Sequence, residues 1–345
     1  MPAGFLAGGA LRPFLYRLLG TESDQTAPEC STEDMTSYWI RRLFQSVVIA
    51  WLVLTLVFLT TRVIGDPVRL VLGIEASHER VELTRDHLGL NDSLPAQYVD
   101  FLEGVVRIDF GESFWQKVPS LPIVLDRVPA TLYLTSVALL IAIPLSLTLA
   151  SIGTLKPRSL ADRAINVFSL GGVSIVDFWL GLMLIMLLAT RFDWLKTSGY
   201  GGLSYVLLPA VTLAFKPLGR ISQMARTSLA DEMSKPYIRS LRAKGVSPRR
   251  IVFLHAMKNA ALPIITIIGD ELISLLNGAI VVETVFGWPG LGQLTIQAFG
   301  RRDLPVIEAL VFVVTVIVIG VNLLVDVSYT YLNPKVKFGE DSDGN

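Results

Sequence analysis

Charge and cysteine are what this sequence has least of. Of its 345 residues only 17% are Asp, Glu, Lys or Arg, against about 25% in an average chain. Apolar residues make up 52%, and the mean hydropathy is +0.54. The charge deficit falls in long uninterrupted stretches, which excludes an ordinary soluble enzyme, a disordered chain or a collagen-like repeat and points to a polytopic membrane protein. A net charge of zero gives nucleic acid nothing to bind. The single cysteine, Cys30, allows neither an intrachain disulfide nor a CxxC metal or redox pair. None of the 27 glycines is followed by lysine, so the phosphate loop that cradles ATP is missing. His78, His87 and His255 lack metal-ligand spacing. There is no Gly-x-Ser-x-Gly elbow and no His-Glu-x-x-His helix, so the sequence offers no support for an enzyme, a metal site or a bound cofactor.

What is present is a set of apolar runs. A transmembrane helix needs roughly 20 mostly apolar residues, and six segments qualify: Leu43 to Leu59, Ala130 to Thr154, Ile165 to Ala189, Leu203 to Leu218, Ala260 to Val285 and Leu304 to Tyr331. The fourth is the weakest, since Pro209 and Pro217 lie inside it and Lys216 closes it. With both termini cytoplasmic, 19 of the 30 Lys and Arg residues fall on the inner side, as the positive-inside rule requires. The first apolar run is too long for a signal peptide, lacks a small-residue cleavage site and follows Arg41-Arg42, so it reads as an uncleaved anchor. The chain then divides into an N-terminal extension over 1–37, a first transmembrane helix over 38–64 and an extracytoplasmic loop region over 65–129. A core with five further transmembrane helices covers 130–331, and a cytoplasmic tail covers 332–345. The composition of 1–37 cannot bury a core, leaving it either a mobile extension or the product of an upstream start.

The inner loop 226–261 carries the most information. Pro236 interrupts the preceding helix, Tyr237 to Lys244 gives two helical turns with Ile238 and Leu241 on one face, and Gly245 is placed to end that helix in the left-handed region. Ser247-Pro248 then caps and starts a helix over Arg249 to Ala260. A short basic helix is thus held crosswise at the inner surface. It can lie against anionic lipid, or dock on a soluble partner and transmit its motion.

Taken as a motif, Tyr237-Ile238-Arg239-Ser240-Leu241-Arg242-Ala243-Lys244-Gly245 followed by His255-Ala256-Met257-Lys258-Asn259-Ala260 resembles the coupling-helix loop of ABC importer permeases of the dipeptide, oligopeptide and nickel group. Other pieces agree in order: Gly65-Asp66-Pro67, Leu88-Gly89-Leu90, Asp109-Phe110-Gly111, Pro129-Ala130-Thr131-Leu132 and Leu208-Pro209-Ala210. They continue with Glu283-x-Val285-Phe286-x-Trp288-Pro289-Gly290-Leu291-Gly292, Arg302-Asp303-Leu304-Pro305 and Asn322-Leu323-Leu324-Val325-Asp326. The similarity runs from Tyr38 to about Lys337 and is to the B-type permease subunit. The sequence departs from the family at Leu241, where alanine is usual, at Val176 and Lys196, where proline is frequent, and at Asp270 and Glu271, where neutral residues are usual. Residues 1–37 have no counterpart.

The resemblance implies an all-α, six-helix transmembrane domain of a type I ABC importer in the inner membrane of a prokaryote. It implies peptides as cargo, moved by alternating access. The implied partners are a second, similar permease, two ATP-binding subunits that hold the ATP and magnesium, an extracytoplasmic substrate-binding protein, and membrane lipid. Tyr237, Ile238, Leu241 and Gly245 become the expected docking residues, with Arg239, Arg242 and Lys244 as electrostatic complement to an ATPase groove. Asp177, Asp270 and Glu271 are candidates for the translocation path, since a charge at mid-bilayer costs about 2.5–3.5 kcal/mol. A structural pair of Asp270 and Glu271 with Lys216 or Arg220 is the competing reading, Asp326 with Asn322 reads as helix–helix glue, and Asp177 fits either role. The loop 65–129, with 11 acidic residues and the aromatics Tyr98, Phe101, Phe110, Phe114 and Trp115, is expected to touch the binding protein. Glu283, Trp288, Pro289, Gly290 and Gly292 mark an outer segment that folds back as a short helix from near Pro289. Nickel, oligosaccharide or glutathione as cargo, and a self-sufficient secondary transporter, are the alternatives.

Overall fold

The computed structural model describes residues 32–63, 82, 85, 91–192 and 194–332. Residues 1–31 of the expected extension, 333–345 of the expected tail and Gly65-Asp66-Pro67 lie outside them. The chain divides into two units, Met1–Val48 and Ile49–Asn345. The described residues are helical with no strand, and Glu112 and Pro119 form one isolated antiparallel bridge.

The described residues form twelve helices in chain order. They are α1 (Thr32–Val63), α2 (Leu94–Arg107), α3 (Ser120–Leu125), α4 (Val128–Leu155), α5 (Leu160–Ser174) and α6 (Asp177–Ala189, ending in a π-helical turn from Ile185). Then come α7 (Leu203–Ser234), α8 (Pro236–Ala243), α9 (Pro248–Asn259, π-helical over Ile251–Ala256), α10 (Ala261–Val285), α11 (Leu291–Arg301) and α12 (Leu304–Leu332). Among the described residues three helical stretches are long and apolar enough to cross a membrane by themselves, Ile40–Thr60, Ser120–Leu155 and Leu304–Val327. Counting each bent pair as one span makes five.

This differs from six simple spans in three places. The third expected span is broken: α5 and α6 meet at 108°, because Gly171-Gly172-Val173-Ser174 is poor helix-forming sequence and Ile175 and Val176 take extended backbone before Asp177 restarts the helix. The fourth is twice the expected length. Pro209 and Pro217 leave α7 continuous over 32 residues, but Lys216, Arg220, Arg226, Asp231 and Glu232 make it too polar to pass as a lipid-exposed span. Burial inside the bundle resolves this, for 16 of its residues, including Leu213, Ile221 and Leu229, are shielded by neighbouring helices. The first helix begins at Thr32, so 32–37 belong to α1 rather than to a separate extension.

Among the described residues four apolar clusters lie in the larger unit, the fourth on α1 and α2. The first joins α4, α7 and α10 through Leu134, Ala138, Leu213, Leu275 and Ala279, and takes in Phe286 and Trp288. The second joins α3, α11 and α12. The third is rich in small residues, with Ala150 of α4, Ala225 and Leu229 of α7, and Val252, Ala256 and Ala260 of the 236–260 segment. Small side chains let helix backbones approach closely where lipid supplies no hydrophobic drive between helices. At the α5–α7 crossing a Cβ on Gly219 would lie 2.5 Å from the Ser169 carbonyl oxygen, and the Ser169 and Ser222 hydroxyls hydrogen-bond across it at 3.1 Å.

Candidate functional site

The elbow over 235–260 forms as the sequence dictates. Lys235 is extended because Pro236 follows it, which ends α7 and sets the proline in the first turn of α8. At the other end Gly245 has φ +75°. Its N–H reaches the Arg242 carbonyl and the Val246 N–H reaches the Leu241 carbonyl, the paired bonds of a Schellman stop, which a residue with a Cβ adopts only under strain. Ser247 stands at the N-cap position of α9, where its side chain makes no capping bond, and Pro248 follows.

The faces of α8 differ from the expected arrangement. Ile238 is 0% exposed and points into this chain, so it cannot be offered to a partner, and Leu241 is half-buried. The outward face is basic: Arg239, Arg242 and Lys244 are exposed together with Gly245. Tyr237 is turned inward to a residue the sequence reading missed. Its hydroxyl donates to Glu232 Oε2 at 2.9 Å and accepts from Asn259 Nδ2 at 3.0 Å, while Lys235 Nζ holds Glu232 Oε1. Burial works to raise the Glu232 carboxyl, but the bonds from Lys235 and Tyr237 and the Lys235 charge outweigh it and hold its pKa below the ordinary value. The sequence cue was an acid three residues before a lysine at a helix end.

A second anchor was also missed. Arg226 grips Asp162 with two nitrogens, at 2.9 and 3.0 Å, and Asp162 also accepts from the Arg158 N–H, fixing the 156–160 turn to α7. The signal was Ser159-x-x-Asp162, a capping-box spacing, and the Ser159 hydroxyl does cap the Asp162 N–H at 3.1 Å.

Within the bundle the two neighbouring acids separate. Glu271 is 1% exposed and pairs with Arg220 at 2.6 Å, which joins α7 to α10 and takes it off the list of accessible path residues. Asp270 is exposed. Asp177 opens α6 half-buried, near Lys216. Asp326 is 8% exposed on α12.

At the opposite end a latch closes around Glu283, which is 0% exposed. Its carboxylate accepts from the Thr131 hydroxyl at 2.7 Å and from the Gln293 N–H at 3.0 Å, and Thr131 Oγ1 accepts from the Leu291 N–H at 2.8 Å. These are first-turn amides of α11, which have no partner within a helix. The folded-back helix thus starts at Leu291, two residues after Pro289, because Gly290 is the N-cap. A Cβ on Gly290 would fall 2.2 Å from a Glu283 oxygen, and one on Gly292 2.4 Å from the Ile280 backbone. Trp288, 0% exposed, donates Nε1–H to the Ala130 carbonyl at 2.9 Å and meets Tyr200 edge-on, with ring centres 4.9 Å apart. Pro289 is half-buried beside it. Asp303, also missed as a site residue, accepts from the Ser113 hydroxyl and from the Phe114 N–H at 2.9 Å. This fastens the 113–115 turn to the start of α12, where Arg301 stacks over the exposed Trp115 ring at 4.4 Å. The 65–129 region therefore contains α2 and α3, with Phe101 packed on Leu54 and Phe58 of α1.

No group of His, Cys, Asp or Glu among the described residues has metal-binding geometry. The described bundle thus carries buried polar latches at both ends, around Glu232 and around Glu283, with an exposed basic face on α8.

Residues 142–338 match the family described as "binding-protein-dependent transport system inner membrane component", and residues 35–135 match the N-terminal family of the same systems. The glutathione transport system permease protein of Escherichia coli K12 is 34% identical over 305 residues, spanning 88% of this chain and 100% of that protein. The oligopeptide transport system permease protein of Bacillus subtilis 168 is 33% identical over 316 residues, with the same 88% and 100% spans. A probable peptide ABC transporter permease protein of Sinorhizobium fredii is 32% identical over 313 residues, again spanning 88% and 100%. Among solved structures, inward-facing conformations of the MetNI methionine ABC transporter superpose on 61% of this chain and 96% of theirs, with TM-scores of 0.50 and 0.51 at 18% and 19% identity, a likeness of fold. With two family matches in tandem, over 35–135 and 142–338, and a helical bundle of that fold, the chain belongs to the family of inner-membrane components of binding-protein-dependent transport systems.

Proposed function

We propose that this chain is the membrane-spanning subunit of an ATP-driven importer whose cargo is peptides. The observation that carries the cargo reading is that three relatives matched along their full length are named for a peptide, an oligopeptide and glutathione, itself a tripeptide. In this reading the chain pairs with a second permease of similar fold, and the cargo path runs between the two. Two ATP-binding subunits supply the stroke and hold the nucleotide and its magnesium, and an extracytoplasmic protein delivers the peptide to the latched outer end. Both termini are cytoplasmic, in keeping with the excess of Lys and Arg assigned to the inner side.

Docking on the ATPase is electrostatic rather than apolar. Arg239 and Arg242 of α8 and Lys244 at its C-cap are the exposed charged groups, and Ile238 serves inside. A ligand enclosed between two bundles leaves on one side only if the bundles rock, and a shift in that equilibrium requires differential contact with the nucleotide-bound and nucleotide-free partner. The Schellman stop at Gly245 keeps α8 short and sharply bounded, as a lever needs.

The test is uptake of a labelled dipeptide and pentapeptide by vesicles containing the complete complex, with nickel and a disaccharide as competing cargo. Saturable, ATP-dependent uptake of a peptide supports the reading. Uptake of nickel or the sugar alone refutes the cargo, and uptake without ATPase subunits refutes the class.

A further inference from the structure

We propose that Tyr237 is a positioning residue whose hydroxyl, shared between Glu232 and Asn259, locks the elbow into one rigid piece, so that displacement of α8 reaches α7 and α9 together. This rests on the reading of the chain as an ATPase-driven permease. Covalently, α8 hangs between Lys235 and the Lys244–Ser247 turn, and rotation about either connection would let it swivel without moving its neighbours. The Tyr237 oxygen closes that freedom. It donates to Glu232 in the last turn of α7 at 2.9 Å and accepts from Asn259, the last residue of α9, at 3.0 Å.

One atom therefore ties three helices. Glu232 is 7% exposed and also carries Lys235, so its position is over-determined. Ile238, the next residue, is fully buried and seats the same turn of α8. α9 completes the circuit, for Val252, Ala256 and Ala260 pack with Ala225 and Leu229 of α7. The clasp lies on the inward side of α8, while Arg239, Arg242 and Lys244 remain exposed on the outer side. Removing the clasp therefore leaves the docking groups in place and loosens only what they push against.

Tyr237→Phe deletes both bonds while keeping the ring, and Asn259→Leu deletes one. In vesicles holding the complete complex, ATP hydrolysis and peptide uptake are measured together. The expected result is a recovery of assembled complex and an ATP turnover close to wild type, with peptide moved per ATP reduced about fivefold or more in Tyr237→Phe, as expected for two lost hydrogen bonds. Asn259→Leu should add little on top of it, because both act through one oxygen. An unchanged peptide-to-ATP ratio overturns the proposal. So does a fall in uptake matched by a fall in assembled complex, which is what a purely structural role would give. Wild-type vesicles report on the proposed function separately. A second measurement needs no transport. Spin labels at Ser240→Cys and Asp231→Cys, in a chain carrying Cys30→Ser, should show a broadened distance distribution when Tyr237→Phe is added, and an unchanged width overturns the clasp.

Discussion

Replacing Glu283 by methionine keeps the side chain's length and removes its two acceptors. The Thr131 hydroxyl, buried, and the Gln293 N–H, half-buried, bonded to it at 2.7 and 3.0 Å, then lose that acceptor. Each stranded donor costs about 1–3 kcal/mol, so the start of α11 loses about 2–6 kcal/mol of local stability. The loss is local because α11 is held at this end by the Glu283–Thr131 pair and at the other by the Asp303 turn. Hydrogen exchange of the backbone amides of residues 293–298, in the protein embedded in lipid nanodiscs, reads that opening directly. The expected acceleration is at least about 30-fold, since about 1.4 kcal/mol is a factor of ten. Glu283→Gln, which retains one carbonyl oxygen for the α11 amide, should recover most of the protection. If exchange in Glu283→Met stays within about twofold of wild type, the latch does not hold this helix and the reasoning from buried donors is wrong.

Gly245→Val places a β-branched residue at φ +75°, at a cost of about 1–3 kcal/mol, and should lower ATP-linked uptake more than it lowers the yield of the complex; equal losses would refute a coupling role. Asp162→Asn weakens the two-pronged Arg226 bond and should destabilise by about 1–3 kcal/mol, a modest figure because Arg226 is 38% exposed, read as a lower midpoint of thermal unfolding in detergent. Gly219→Leu forces a side chain where even a Cβ lies 2.5 Å from the Ser169 carbonyl oxygen, and should reduce folded yield more than Gly320→Leu, whose position is open. For Glu232 the folded carboxyl sits below its ordinary value of 4.5. Its contribution is therefore fully present above that value and lost as pH falls through the depressed one. The thermal midpoint of wild type should exceed that of Glu232→Gln by a constant margin from pH 8 to 6, and the margin should close in acid.

The elbow was legible because its signals are local. Proline starts, a glycine stop and a run of basic residues act over a few positions, and the structure puts α8 within one residue of the expected bounds. The first, second and sixth spans were legible for the same reason, as long apolar runs between charged ends. What the sequence could not show is which way short helices face. Ile238 reads as an exposed anchor until Tyr237 is seen to reach Glu232 and Asn259, a contact across 22 residues. Length and bending were also hidden. Hydropathy breaks α7 at Lys216 because it assumes lipid as the surroundings, whereas neighbouring helices enclose that stretch. It runs straight through Ile175-Val176, where apolar character persists while the backbone turns by 108°. The Asp270-Glu271 pair was one feature in sequence and became two in space, since adjacent helical residues point about 100° apart.

The 32-residue length of α7 has a mechanical corollary. At 1.5 Å per residue the helix is roughly 48 Å long, and Gly219, where α5 crosses at closest approach, lies near its midpoint. A rod pivoted at its centre moves its two ends in opposite senses. A tilt of about 10° would carry Ser234, beside the elbow, and Leu203, at the far rim, about 4 Å each way. Opening one side of the membrane and shutting the other would then be a single see-saw motion of one helix, with Pro217 set two residues from the fulcrum.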